Sequence, residues 1–189
     1  MANDEQGSAD VGVLPDEVDP SHDEIRKKVL WANFMAGGAG VEYYFGYEYA
    51  SSDLTCEDLR SRENIWKQSK HALDFFKNYQ LPFWNMTNAN TRVTEGNLCL
   101  AEGNDDVIVI YLPNGGNETI DLSGANVYRI HWYDPLLGGE LQMGSVTKVL
   151  PNPQQSLGSP PYSPDQDWVV RLQRSVPAST NAPTTQPTS

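Results

Sequence analysis

The run Gly37-Gly38-Ala39-Gly40-Val41-Glu42-Tyr43-Tyr44-Phe45-Gly46-Tyr47 constrains the fold more than any other stretch of this chain. Its glycines end one helix-like segment, bulky strand-favouring residues follow, and a second helix-like segment runs from about Cys56 to Tyr79. Helix, strand, helix is the repeating order of α/β folds built on a parallel sheet. Only one such strand, Val41 to Tyr47, is visible, and a parallel strand needs parallel neighbours. After Trp84 the pattern changes to short alternating strands. The expected neighbours therefore precede Met1, and the chain reads as the carboxyl-terminal part of a longer protein.

Charge narrows the functional classes. The formal charge of −12 argues against nucleic acid, whose phosphates call for clustered Lys and Arg, and against anionic membrane surfaces. No apolar run is long enough to span a bilayer, and no basic start is followed by an apolar stretch. Asp4, Glu5, Asp10, Asp16, Glu17 and Asp19 all precede the first basic residue, Arg26. Such a cluster is either a solvated loop or a carboxylate-lined cation site. It lacks calcium-loop spacing and an accompanying His or Cys cluster, so no metal and no cofactor is expected. Cys56 and Cys99 do not make a disulfide framework; Cys99, inside an expected strand, reads as a small buried hydrophobe.

A helix is expected from Ser21, a suitable N-cap, to about Ala36, with Asp23 and Glu24 at its positive end. Ile25, Val29, Leu30 and Phe34 keep near-helical spacing. The strand that follows has almost no polar alternation, the pattern of burial on both faces. Glu42 then requires a partner or a polar cavity, because an unpaired buried charge is too costly. In the second helix Leu59, Ile65, Trp66, Leu73 and Phe76 form an apolar face, and Arg60 or Arg62 is available to reach Glu42 or the acidic first loop.

From Thr87 onward six short strands are expected: Leu98–Ala101, Val107–Leu112, Thr119–Leu122, Val127–Tyr133, Val146–Leu150 and Trp168–Leu172. Asn114-Gly115-Gly116-Asn117 is the clearest turn between them. Frequent turns and short strands indicate an antiparallel sandwich or small barrel. Trp132, Tyr133 and Trp168 read as its core, with a sugar-stacking surface as the alternative. The segment from about 174 to 189, rich in Pro, Thr and Ser, has the composition of a disordered linker, common in secreted multi-domain proteins.

Taken as a set, Asn3-Asp4-Glu5-Gln6-Gly7, Met35 to Gly46, Glu57-Asp58-Leu59-Arg60-Ser61-Arg62 and Leu73-Asp74-Phe75-Phe76 resemble bacterial apiosidase-like glycoside hydrolases. Tyr111-Leu112-Pro113-Asn114-Gly115-Gly116, Trp132-Tyr133-Asp134-Pro135, Gly138-Gly139 and Asp167-Trp168-Val169-Val170 are similar to the module that follows that catalytic domain, usually labelled collagen-binding. The resemblance implies an α/β remnant of a (β/α)₈ barrel over residues 1–84, followed by an all-β antiparallel sandwich over 85–173. A whole barrel takes about 250 residues, so only its last part fits here. Retaining glycosidases use two carboxyl groups about 5 Å apart, and barrels present such groups at the carboxyl ends of strands. The resemblance thus makes Glu5 the candidate nucleophile, with Asp4 in reserve; otherwise both are loop acids. The acid/base partner belongs to an earlier strand, so the chain alone is expected to be inactive. Tyr43, Tyr44 and Tyr47 are the candidate sugar-binding residues. The implied partners are a polysaccharide or oligosaccharide, with collagen as the alternative, in an extracellular or periplasmic setting.

Overall fold

A computed structural model describes residues 2–6, 9–124 and 126–175, with side chains from residue 9 onward. From residue 176 on, the expected disordered tail lies outside the described residues.

The first half contains a parallel strand pair. Strand β1 (Ala2–Gln6) lies beside β2 (Gly40–Tyr43) in parallel, so one neighbour expected before Met1 lies within the chain, and the connection between them carries a helix. That helix departs from the expected regular winding. It opens as a π-helical stretch over Ile25–Trp31 and tightens into α1 (Ala32–Met35). Its buried residues explain why. Ile25 and Arg26 are followed five positions on by Leu30 and Trp31, so one wide turn puts both pairs on the same face.

Strand β2 ends at Tyr43, four residues earlier than expected. Gly46 takes the left-handed conformation, φ 65°, and the Phe45 amide is donated to Asp53 Oδ2 at 3.1 Å instead of to a neighbouring strand. Burial on both faces, expected from the apolar pattern, is not found: among the described residues β2 has one strand neighbour, and Glu42 is exposed and meets its need for hydration in water. Helix α2 (Glu63–Asn78) follows a short 3₁₀ turn, Leu59–Arg62, that Asp58 caps by accepting from the Arg60 amide.

The second half is mostly antiparallel sheet, in the arrangement of a β-sandwich. The larger sheet has the order β3-β4-β5-β10-β7-β8, where β3 is Met86–Asn88, β4 Leu98–Glu102, β5 Val107–Leu112, β7 Tyr128–Tyr133, β8 Lys148–Val149 and β10 Trp168–Arg174. A small sheet pairs β6 (Thr119–Leu122) with β9 (Asn152–Ser156). Strands β1, β3 and β9 were not expected, since Ala-Asn-Asp-Glu-Gln, Met-Thr-Asn and Asn-Pro-Gln-Gln-Ser lack the apolar alternation and bulk that mark a strand.

Two apolar layers flank the larger sheet. On one side Ile108, Ile110, Ile130, Trp132, Trp168 and Val170 pack against Ile120, Leu122 and Leu157 of the small-sheet side. On the other, Val107, Val109, Tyr111, Tyr133 and Val169 pack against Leu30, Trp31, Ala72 and Phe75 from the helices. Trp31 stacks on Tyr111, ring centroids 5.5 Å apart, and Phe75 meets Tyr133 at 4.9 Å. Strand β5 is therefore buried along its whole length, which accounts for its unbroken apolar sequence. Trp132, Tyr133 and Trp168 are core residues, as expected.

Candidate functional site

Parallel pairing brings the carboxyl ends of β1 and β2 side by side, with Gln6 opposite Tyr43. The register slips between Asn3–Val41 and Gln6–Tyr43, so Asp4 and Glu5 together stand against the single residue Glu42. Bulges of this kind bend a strand and re-aim side chains, often beside active sites. The side chains of Asp4 and Glu5 themselves lie outside the described residues.

The three candidate tyrosines do not converge. Tyr43 turns toward α2, where its hydroxyl is 2.9 Å from Ser69 Oγ and its ring meets Trp66 edge-on at 5.2 Å. Burial pushes its hydroxyl up to about 12, and the bond to Ser69 only partly offsets this. It lines an open groove of about 730 Å³ with Phe34, Val41, Trp66, Leu73 and Lys77. Tyr44 and Tyr47 belong instead to the loop beyond β2. The Tyr44 hydroxyl donates to the Ala9 carbonyl, and Tyr47, 52% exposed, is the most exposed of the three.

The loops beyond β1 and β2 are held together by backbone. The Val13 amide donates to Tyr44 O at 2.7 Å, and the Tyr47 and Glu48 amides donate to Asp10 O at 2.8 and 3.0 Å. Gly12 (φ 58°) and Gly46 (φ 65°) sit at this crossing, where a Cβ on either would overlap backbone of the other loop. Beneath them the fully buried Arg62 donates from Nε to Val13 O at 3.0 Å and from Nη1 to Ala50 O and Ser51 O at 3.2 and 3.1 Å. Its guanidinium lies 4.5 Å from the Phe45 ring centroid, and burial lowers its pKa. Arg62 thus reaches the acidic loop as anticipated, but it binds that loop's carbonyl and not its carboxylates. Arg60 pairs locally with Asp58.

Two polar networks had no sequence signal, because each joins residues far apart in the chain. His22 Nε2 is 2.7 Å from Asp16 Oδ1, and Asp16 Oδ2 accepts from the Asn64 amide at 3.0 Å. A His–carboxylate pair is general-base chemistry in form. His22 is wholly buried, however, so no substrate reaches it and the pair serves to shape the loop. The second network links the halves. Arg26 donates to Asp167 from Nε (3.0 Å) and Nη2 (2.8 Å), and the Tyr111 hydroxyl donates to Asp167 Oδ2 at 2.9 Å. Both charged partners are almost wholly buried, at 1% and 0% side-chain exposure.

Among the described residues no group of three or more His, Cys, Asp or Glu is arranged to hold a metal, and no helix is long and apolar enough to cross a membrane. Cys99 is buried and its thiol is pushed up to about 12 by that burial, whereas Cys56 is exposed.

Residues 85–173 match the family described as "Putative collagen-binding domain of a collagenase". No curated protein matches the chain. Among solved structures, a glycoside hydrolase family 5 protein from Bacteroides vulgatus ATCC 8482 is similar with a TM-score of 0.60 at 15% identity, over 81% of this chain and 36% of that one. A second structure, described as a glycoside hydrolase, gives a TM-score of 0.57 at 15% identity over 81% and 37%. The chain therefore spans little more than a third of the length of the structures it matches. Residues 85–173 are less than half of the chain, so similarity over 81% of it includes much of the segment before them. At this identity the likeness is one of fold.

Proposed function

We propose that this chain is the carboxyl-terminal portion of an apiosidase-like glycoside hydrolase acting on complex polysaccharide outside the cytoplasm. Residues 1–84 form the last strands and helices of its (β/α)₈ barrel, and 85–173 form an accessory sandwich. The observation that carries this reading is the parallel β1–β2 pair, joined through a helix and followed by α2, within a fold similar to glycoside hydrolases beyond the collagen-binding-like region. Glu5, or Asp4 in its place, supplies the nucleophile from the bulge at the carboxyl end of β1. Of the candidate sugar-binding residues Tyr43, Tyr44 and Tyr47, Tyr47 is the most exposed, which supports giving it the first contact with sugar. The acid/base comes from a strand that is not part of these 189 residues, so the isolated chain is inactive.

The sandwich supports the barrel. Its outer sheet face is covered by the helices, and the described exposed aromatics Tyr47, Trp84 and Tyr162 come from three separate connections, so no row of aromatics marks a collagen or glycan groove. The test is a parent protein that contains this chain, assayed by release of reducing sugar. Glu5→Gln should lower turnover by orders of magnitude with the fold intact, since the charge is lost but the shape kept. A parent indifferent to both Glu5→Gln and Asp4→Asn, or hydrolysis by the 189-residue chain alone, would favour a non-catalytic attachment module.

A further inference from the structure

The sheet face that packs on the helices continues along β7 and β10 beyond their cover. There the register sets Arg129 of β7 opposite Lys148 of β8 on one side and Gln173 of β10 on the other, and His131 opposite Arg171. Residues directly opposite one another share a face, and successive rows along a strand on that face lie about 7 Å apart. Lys148, Arg129, His131 and Arg171 therefore form one basic block. It opens onto a cleft of about 630 Å³ whose lining includes Val127, Arg129, His131, Met143, Thr147 and Lys148, with no carboxylate among the lining residues.

The charge there is uncompensated. Arg26, Lys27, Lys28, Arg60, Lys67, Lys70, Arg92 and Arg174 all form ion pairs. Of the remaining Lys and Arg among the described residues, Arg129, Lys148 and Arg171 share this one face, in a chain of net charge −12. Arg171 Nη2 donates to Gln173 Oε1 at 2.6 Å, and its guanidinium lies 6.0 Å from the Tyr79 ring centroid. Two buried nitrogens, His131 Nδ1 and Arg171 Nε, have no partner. His131 is held below its ordinary pKa by burial and then by the charges of Arg171 and Arg129. Like charges opposed across a sheet are unfavourable unless something negative offsets them.

We propose that this cleft binds the anionic groups of an acidic glycan, carboxylates or sulfate esters, through Arg129 and Lys148, with Val127 and Met143 against the sugar ring and the Arg171 charge behind them. Guanidinium forks suit planar or tetrahedral oxyanions, and the flexible Met143 adapts to an apolar ring face. The glycan part rests on the carbohydrate reading above; the anion site does not.

Affinity electrophoresis of the full chain in gels containing polygalacturonate, dextran sulfate or neutral dextran tests the glycan. Retardation by one or both charged polymers and none by dextran is expected, with at least a tenfold loss of affinity in the Arg129→Ala/Lys148→Ala variant at an unchanged unfolding midpoint. Polygalacturonate alone would assign carboxylates, and dextran sulfate alone sulfate esters. Titration of the His131 ring by NMR with inorganic sulfate tests the anion site: sulfate should raise its pKa in the wild type and not in the double variant. A sulfate response without retardation by either polymer overturns the glycan assignment. No sulfate response, or equal affinity in the double variant, overturns the site. Neither readout depends on hydrolytic activity of a parent protein.

Discussion

Arg26→Met removes the guanidinium that joins the helical layer to the sheet, and the structure indicates where the cost falls. Asp23, which also accepts from Arg26, is 55% exposed and returns to water at little cost. Ser21 O keeps its second donor, Gln68 Nε2 at 2.8 Å. Asp167 is different: it is wholly buried and loses both Arg26 bonds, retaining only the Tyr111 hydroxyl. Leaving one partner of a buried pair uncompensated costs about 3–5 kcal/mol. For a chain of this size that is a fall in melting temperature of about 6–20 °C, a large share of an ordinary stability of about 5–15 kcal/mol. Asp167→Asn should cost less, because the amide oxygen still accepts a bond and Arg26 keeps Asp23 and Ser21 O. The double variant Arg26→Met/Asp167→Leu should be more stable than Arg26→Met alone, since no buried charge remains. Urea unfolding of the four proteins measures all three differences. A loss below about 1 kcal/mol for Arg26→Met, or a double variant no more stable than Arg26→Met alone, would show that the desolvated carboxylate does not dominate.

Other outcomes follow from burial and backbone geometry. A thiol reagent should label Cys56 alone in the native chain and both cysteines in denaturant, because burial holds the Cys99 thiol protonated up to about pH 12. Gly12→Ala should destabilise by more than the roughly 1–2 kcal/mol expected for left-handed strain, because its Cβ meets the Tyr44 carbonyl; Gly37→Ala, with φ 80° but open space, should show the strain alone in the same urea assay. His71 and His131 both have folded pKa values lowered, chiefly by burial. Their contribution to stability is thus present above about pH 6.5 and lost as pH falls through the folded values. Thermal melts between pH 7.5 and 5 should show this loss, and His71→Asn, which keeps a donor near the Leu136 carbonyl, should flatten it.

Periodicity made the central strands legible. β4, β5, β6, β7 and β10 stand within two residues of their expected limits because each is a short apolar or alternating run between turn residues. It also exposed the parallel grammar of the first half, where glycines separate a helix from a strand. Apolar content alone does not say which layer buries a strand. The unbroken pattern of β5 does reflect burial on both faces, whereas the equally apolar Val41–Tyr47 lies at a two-stranded edge with Glu42 in water. Neighbours, not composition, decided the difference. The same holds for polar residues: Arg26 and Asp167 are 141 positions apart and Arg62 and Val13 49, so no local spacing announces either contact.

The layer of contacts between the halves bears on how the sandwich works. Tyr111, Tyr133 and Val169 form an apolar sheet face that the helices cover, and Tyr133 donates its hydroxyl to the His71 carbonyl of α2 at 2.8 Å. Removing residues before Asn85 would expose this face as a contiguous apolar surface, the kind that drives association. A fragment spanning 85–175 should therefore elute as a higher oligomer or bind a hydrophobic dye more strongly than the full chain. A monodisperse, dye-silent fragment would mean that the sandwich is self-sufficient. In that event the helices would be passengers on a free-standing module, and attachment, not support of a catalytic barrel, would be its role.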